Sequence, residues 1–318
     1  MILEETLAEN AWRLEDGLYR ILLPLAWAVP FVSVYLVESR GERMLVDAGL
    51  NAGTSLRALG RALKAIGVPQ GQLDILLLTH RHPDHAAGAG PVQQRWGGRV
   101  LLHPADLAPR RDGPAEALLW ARRQGVPSQV MEELLARRPD GREELGEAVE
   151  ALDPHRPISV GTLSFEVIEV PGHSAGQVML RERSKGWLFT ADQVVEPDAP
   201  NVWMSPGVTG DPLGGYLESL RATQELEADL ILPSHGAPMR GGLQEFVGRQ
   251  IRFQEAYLAR AQGLVDAGGS SSWQVAARVA PGREDPSVLA EVLAALTHLQ
   301  AQGRLGRDDD GIWFPGAS

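Results

Sequence analysis

Short apolar runs recur along the first three-quarters of the chain, and each stops at a polar or glycine-containing corner. Leu18–Leu23, Phe31–Val37, Arg43–Val46, Leu73–Leu78, Gly98–His103, Trp187–Ala191 and Leu230–Pro233 have the length and content of strands. Between them the spacing changes. Leu56, Leu59, Leu63 and Ile66 recur at helical intervals over 53–66, and Gly67-Val68-Pro69 stops that helix. Ala86–Trp96 and Asp211–Leu226 are predicted helices, the second with Pro212 in its first turn. Leu18 to Val37 is rich in apolar residues, but Arg20, Pro24, Pro30 and Ser33 interrupt it, which predicts two strands and no membrane span.

Two stretches depart from this alternation. Residues 105–153 are rich in Arg, Glu and Ala, and the pattern predicts helices at Glu116–Arg123, Val130–Arg138 and Glu143–Leu152. Such an insert is either a lid over a cleft or a solvated helical pair on the outer face, and Trp120 is correspondingly a pocket wall or a core filler. From about residue 243 the pattern is helix (Leu243–Ala267), helix (Ser271–Val279), helix (Asp285–Gln302) and then a hairpin over Arg304–Phe314 turning at Asp308-Asp309-Asp310-Gly311. The expected division is therefore 1–242, with its insert at about 105–153, and 243–318.

Composition narrows the class. The 318 residues carry a net charge of −11 and no cysteine, so disulfides and thiolate metal ligands are excluded and the overall field repels nucleic acid. Acidic residues stand at the start of the chain where a secretory signal would carry basic ones, so a soluble, cytoplasmic protein is the expectation.

The candidate chemistry lies where one apolar run breaks, at Leu76-Leu77-Leu78-Thr79-His80-Arg81-His82-Pro83-Asp84-His85. Imidazole and carboxylate suit zinc and similar divalent ions. On extended backbone His80 and His82 point the same way, so both can grip one ion. Asp84 and His85 follow where a turn can aim them at a second.

This stretch resembles the HxHxDH signature of the metallo-β-lactamase superfamily, and further motifs follow in that family's order. They are Leu45-Val46-Asp47-Ala48-Gly49, Val170-Pro171-Gly172-His173-Ser174-Ala175-Gly176, Trp187-Leu188-Phe189-Thr190-Ala191-Asp192 and Leu230-Ile231-Leu232-Pro233-Ser234-His235-Gly236. The resemblance implies a mixed α/β (α+β) fold: a four-layer αββα metallo-β-lactamase sandwich with a helical insertion and metals at one edge. It implies that His80, His82 and His173 hold a first metal, that Asp84, His85 and His235 hold a second, and that Asp192 bridges them. Zinc, two ions per chain, is the expected cofactor, with iron or manganese as alternatives. Asp47, with Thr79 beside it, is expected behind the ligands, orienting a histidine or its turn; the alternative for Asp47 is a cap for the segment after Gly49. Asp84 and Asp192 are the expected catalytic carboxylates, Asp84 orienting a metal-held hydroxide or shuttling its proton.

The function so implied is a metal-dependent hydrolase in which hydroxide attacks an ester, thioester, lactone or phosphodiester, as in the branch that includes glyoxalase II, lactonases, thioesterases and some ribonucleases. Flavo-di-iron relatives carry Glu where this chain has His82. The rival classes are an endoribonuclease, a mono-iron oxidoreductase resembling the persulfide dioxygenases, and a regulatory protein that keeps the metal as structure. Trp203 and Met204, soon after Asp192, are expected to line the substrate cavity. The C-terminal pattern resembles the small winged-helix-like domain of one branch of the superfamily. Seven arginines against nine acids over 243–318, three of the acids at the hairpin tip, argue against DNA and for packing or a homodimer. A small-molecule substrate is the expected partner. His103, His155 and His298 fall outside the motifs and are expected to be structural or at the surface.

Overall fold

The computed structural model describes residues 5–25, 29–107, 114–131, 149–196, 200–204, 207–283 and 286–316. Eight strands pair in sequence order in the first sheet: β1 (Glu5–Ala8), β2 (Ala11–Glu15), β3 (Leu18–Pro24), β4 (Phe31–Ser39), β5 (Glu42–Val46), β6 (Ile75–Leu77), β7 (Arg99–Leu102) and β8 (Val149–Ala151). The pairs are antiparallel as far as β5 and parallel from β5 to β8. The second sheet holds β9 (Ile158–Val160), β10 (Leu163–Glu169), β11 (Val178–Glu182), β12 (Trp187–Ala191), β13 (Leu230–Pro233) and β14 (Met239–Arg240), also in sequence order, with β12 and β13 parallel.

Side chains that alternate along each strand divide between separate apolar clusters. On the first sheet Val34, Leu36, Leu45 and Leu76 face outward, against Leu59, Leu63 and Trp96 from α1 (Gly53–Ile66) and α3 (Ala89–Trp96). Tyr35, Val37, Met44, Val46 and Leu77 face inward and meet Phe165, Leu180, Trp187, Phe189, Leu230 and Leu232 of the second sheet. Leu188 and Ile231, on the far side of that sheet, pack under Leu213, Leu217 and Leu220 of α6 (Pro212–Gln224). Helix, sheet, sheet, helix is thus the layer order, as expected.

The outermost apolar cluster continues without a break into the C-terminal segment. That segment is α7 (Leu243–Gly263), α8 (Ser272–Val279), α9 (Pro286–Ala301) and a hairpin of β15 (Leu305–Arg307) and β16 (Trp313–Pro315). Val247, Leu258, Val275, Leu293, Leu296 and buried Trp313 share the cluster with Tyr216 and Leu217. Ser271 caps α8 with a full capping box to Gln274.

The insert packs on this layer as well. After α4 (Pro104–Leu107), α5 (Pro114–Arg123) contributes Ala121 and part-buried Trp120, followed by Val126 and Met131. Gln124 then locks the insert down: its Oε1 accepts from Ser272 Oγ at 3.0 Å and from Arg307 Nη2 at 2.9 Å. Trp120 is half-buried against this cluster. The helix expected at Glu143–Leu152 is corrected at its end, because Val149–Ala151 is strand β8, paired with Val100–Leu102. Of the helix expected at Val130–Arg138, Val130 and Met131 are helical; the remaining residues, like 143–148, lie outside the described residues. The hairpin β1–β2 has no counterpart among the expected elements. Its strands extend the antiparallel edge beside β3, and their alternation is weak because β1 is only half covered.

Candidate metal centre

All the candidate ligands sit beyond strand ends at one rim of the sandwich. Asp47 follows β5, Thr79 to His85 follow β6, His173 lies between β10 and β11, Asp192 follows β12 and His235 follows β13. Two backbone bonds stitch the sheets together there: Val178 N donates to Thr79 O at 2.9 Å, and Ser33 N to Ser234 O at 2.7 Å. The turn α2 (Pro83–Ala86) opens with Pro83 and carries Asp84 and buried His85, whose ring lies 4.0 Å from that of His80. The Pro-Gly-His corner needs its glycine. Gly172 has φ +140°, and a Cβ there would stand 2.3 Å from Tyr216 N.

The ligand atoms converge as a two-ion site requires. His80, His82 and His173 form one group and Asp84, His85 and His235 another, while Asp192 stands with His80 and His85. Around an ion with bonds of about 2.0–2.1 Å, tetrahedral donors lie roughly 3.3–3.4 Å apart. His80 Nε2 and His82 Nδ1 are 3.1 Å apart. Asp192 divides its oxygens: Oδ2 is 3.3 Å from His173 Nε2, whereas Oδ1 is 3.5 Å from His85 Nε2 and 3.6 Å from His235 Nε2. Asp84 Oδ2 closes the second group, 3.3 Å from His235 Nε2 and 3.5 Å from His85 Nε2. His85 Nε2, His173 Nε2 and Asp192 Oδ1 are buried with no hydrogen-bond partner. Buried polar atoms left in that state are costly, and cations at the two groups would satisfy all three. The donor set fits the two ions.

The remaining ring nitrogens fix which atom is presented. His173 Nδ1 donates to Asn201 O at 2.8 Å, and His235 Nδ1 to Phe31 O at 3.2 Å. His85 Nδ1 donates to Asp47 Oδ2 at 2.8 Å. Thr79 Oγ1 gives its proton to Asp47 Oδ2 at 2.9 Å, so it accepts from His80 Nδ1 at 3.1 Å and leaves His80 Nε2 free. Asp47 also accepts from Thr79 N at 2.8 Å, with its own backbone at φ +67°. Asp47 thus bonds the His85 ring and, through Thr79, lies behind the His80 ring, while α1 after Gly49 begins at Ala52 without a side-chain cap.

Charge separates the two groups. Burial and the crowding imidazoles hold His80 well below the usual histidine range, and burial pushes His82 down to about 3. Burial opposes charge on His85 too, but Asp84, Asp192 and Asp47 outweigh it and hold its pKa well above the usual range. His235 is raised in the same way, chiefly by Asp192. Asp84 and Asp192 remain ionised despite burial because these histidines face them. The carboxylates thus favour positive charge at the second group.

Trp203 borders the centre. Its ring lies 5.6 Å from that of His82 and is 37% exposed. Met204 is turned away: it is buried in the C-terminal cluster, with its N donating to Ala290 O at 3.0 Å, and does not line the cavity. His103 donates to Glu169, His298 to Asp211, and His155 is exposed, in keeping with structural or surface roles.

Two positions near the centre escape the motif pattern. Arg20, buried on β3, donates to Gly236 O at 2.5 Å and so holds the His235 turn. Asp106, just past β7, accepts from the loops on either side of the first group. The only sequence signal was a carboxylate just beyond a strand end, the same signal that marks Asp47.

A family profile described as the metallo-beta-lactamase superfamily matches residues 27–235. A probable metallo-hydrolase of Bacillus subtilis is 24% identical over 89% of this chain and 91% of its own length. An acyl-coenzyme A thioesterase of Gallus gallus is 27% identical over 64% of this chain and 72% of its own. Among solved structures, a metallo-beta-lactamase family protein from Thermus thermophilus superposes with a TM-score of 0.83 at 26% identity, covering 95% of this chain and all of that one.

Proposed function

The chain belongs to the metallo-beta-lactamase superfamily, and from that premise we propose that it is a divalent-metal-dependent hydrolase of acyl substrates, thioesters first. The observation that carries the reading is the division of Asp192, one oxygen toward His173 and the other toward His85 and His235, among buried atoms that lack any other partner. His80, His82 and His173 would hold one ion and Asp84, His85 and His235 the other, with Asp192 between the two groups. Two zinc ions, or iron or manganese in their place, would acidify water and stabilise the negative charge that develops on the oxygen of the carbonyl under attack.

The chain's own residues do the rest. Asp47, Asn201 O and Phe31 O keep three histidines in the tautomer that leaves Nε2 bare. Asp84, ionised and beside His235, is placed to take the proton of an attacking water and return it to the leaving group. Trp203 offers an apolar wall on the His82 side, suited to an acyl chain or an aromatic part of the substrate. The thioesterase relative favours a thioester, and the net charge of −11 with three aspartates at the hairpin tip disfavours nucleic acid. The C-terminal 243–318 segment, winged-helix-like in order, serves packing or a homodimer.

The test is a panel of an acyl-coenzyme A thioester, an aryl ester, a lactone, bis-p-nitrophenyl phosphate and a short RNA, with metal-loaded protein. Chelator-sensitive turnover of the thioester, or of the ester and lactone, is the expected result. Cleavage of the phosphodiester or RNA alone would refute the acyl assignment, and oxygen uptake with one iron and no hydrolysis would refute the hydrolase.

A further inference from the structure

Asp47 braces His85 of the second group and, through Thr79, His80 of the first, but nothing in that arrangement reaches His82 or His173. The first group draws its ligands from two sheets: His80 and His82 from the loop after β6, and His173 from the loop before β11. Three ligands on two independent loops need a tie between them if the donors are to stay within the few tenths of an ångström that coordination tolerates.

We propose that Asp106 is that tie, a positioning residue for the metal held by His80, His82 and His173; the proposal rests on the metal-centre reading above. Asp106 is 1% exposed. Its Oδ2 accepts from Arg81 N at 3.0 Å and from Ser174 Oγ at 2.9 Å, and its Oδ1 accepts from Gly176 N at 2.9 Å. Arg81 lies between His80 and His82, and Ser174 follows His173. One carboxylate therefore grips the immediate neighbours of all three first-group ligands, across the seam between the sheets.

The carboxylate is itself anchored. Asp106 N donates to His103 O at 2.9 Å, and His103 Nε2 donates to Glu169 Oε1 at 2.9 Å, tying the end of β7 to the end of β10. The approach is close enough to dictate a neighbour: a Cβ at Gly176 would stand 2.9 Å from Asp106 N and 3.0 Å from Asp106 Cγ. Two backbone N–H groups and one hydroxyl match the two acceptor oxygens of a carboxylate and leave no place for the amide of an asparagine, whose NH₂ would face a donor.

The experiment uses the full chain stripped of metal and titrated with zinc against a competing chelator, with ¹⁵N-histidine spectra assigning each ion to its ring nitrogens. Asp106→Asn should weaken the ion on His80, His82 and His173 by roughly 10–100-fold while leaving the ion on His85 and His235 within about twofold. Asp47→Asn, which disturbs His85 directly and His80 only through Thr79, should weaken the ion on His85 and His235 more than the other. Ser174→Ala, which removes one donor and keeps the charge, should give a smaller loss at the same position. In the metal-free Asp106→Asn protein, amide exchange should speed up at Arg81 and Gly176 ahead of the surrounding strands. A variant that binds both ions as the parent does, or loses both equally, would overturn the proposal with the metal centre intact. A parent chain that takes up no metal would overturn the metal-centre reading and this inference with it.

Discussion

Replacing Asp47 with asparagine changes one oxygen to an NH₂ and nothing in shape. Asparagine tolerates the left-handed backbone at φ +67° as well as aspartate does, so the turn after β5 survives. The hydrogen bonds do not. Asp47 Oδ2 accepts from both Thr79 Oγ1 and His85 Nδ1, so an amide nitrogen there meets a donor. His85 then either moves its proton to Nε2, the atom that faces Asp84 and Asp192, or, with the amide turned so that its NH₂ meets Thr79 N, exchanges a charged acceptor for a neutral one. Either way the ligand is weakened. A hydrogen bond to a charged group is worth about 1.5–3 kcal/mol, which converts to a loss of roughly 10- to 150-fold in affinity for the ion on Asp84, His85 and His235. Zinc titration against a chelator measures it, with circular dichroism to confirm that the fold is kept. If the folded variant binds that ion as tightly as the parent, the role assigned to Asp47 is wrong.

The metal-free charge pattern predicts how binding depends on pH. His85 and His235 have raised pKa values and must shed protons to ligate, so the affinity of the second position rises with pH, by up to one proton per histidine. His80 and His82 are held neutral far below neutrality, so those two ligands add no such dependence at the first position. Calorimetry in buffers of different ionisation enthalpy counts the protons, and release confined to the first position would contradict the charges described. Trp203→Ala should raise KM roughly 2- to 12-fold with little change in kcat, the worth of one aromatic contact; an unchanged KM would remove Trp203 from the substrate site. Gln124→Ala leaves the Arg307 guanidinium and the Ser272 hydroxyl without their shared acceptor and should cost about 1–3 kcal/mol in urea unfolding. A loss below about 0.5 kcal/mol would show that the insert is not locked to the C-terminal segment through Gln124.

The sandwich was legible because its strands are buried on both faces or end abruptly in chemistry. Leu76-Leu77-Leu78 breaks into Thr79-His80, and Trp187–Ala191 breaks into Asp192, so local pattern and function coincide. β1 and β2 were not legible: an edge hairpin half open to solvent needs no strong alternation. Glu-Ala-Val-Glu-Ala favours helix locally, and in β8 pairing with β7 overrides that preference. The seven candidate ligands lie in strand-end motifs. Asp106 is invisible by comparison because its partners, Arg81, Ser174 and Gly176, are 25 to 70 residues away and two of them are backbone amides. Met204 lay near Asp192 in sequence, but its backbone bond to Ala290 turns it into the core, a contact no local pattern encodes.

The central claim is that Asp192 bridges two ions held by six further side chains. The most direct measurement is the metal content of protein purified without added metal or chelator, followed by reconstitution of the stripped chain. The account predicts two equivalents of zinc, iron or manganese per chain, falling to one or none when Asp192 is replaced with alanine. A parent chain that binds no divalent metal even after reconstitution would contradict it.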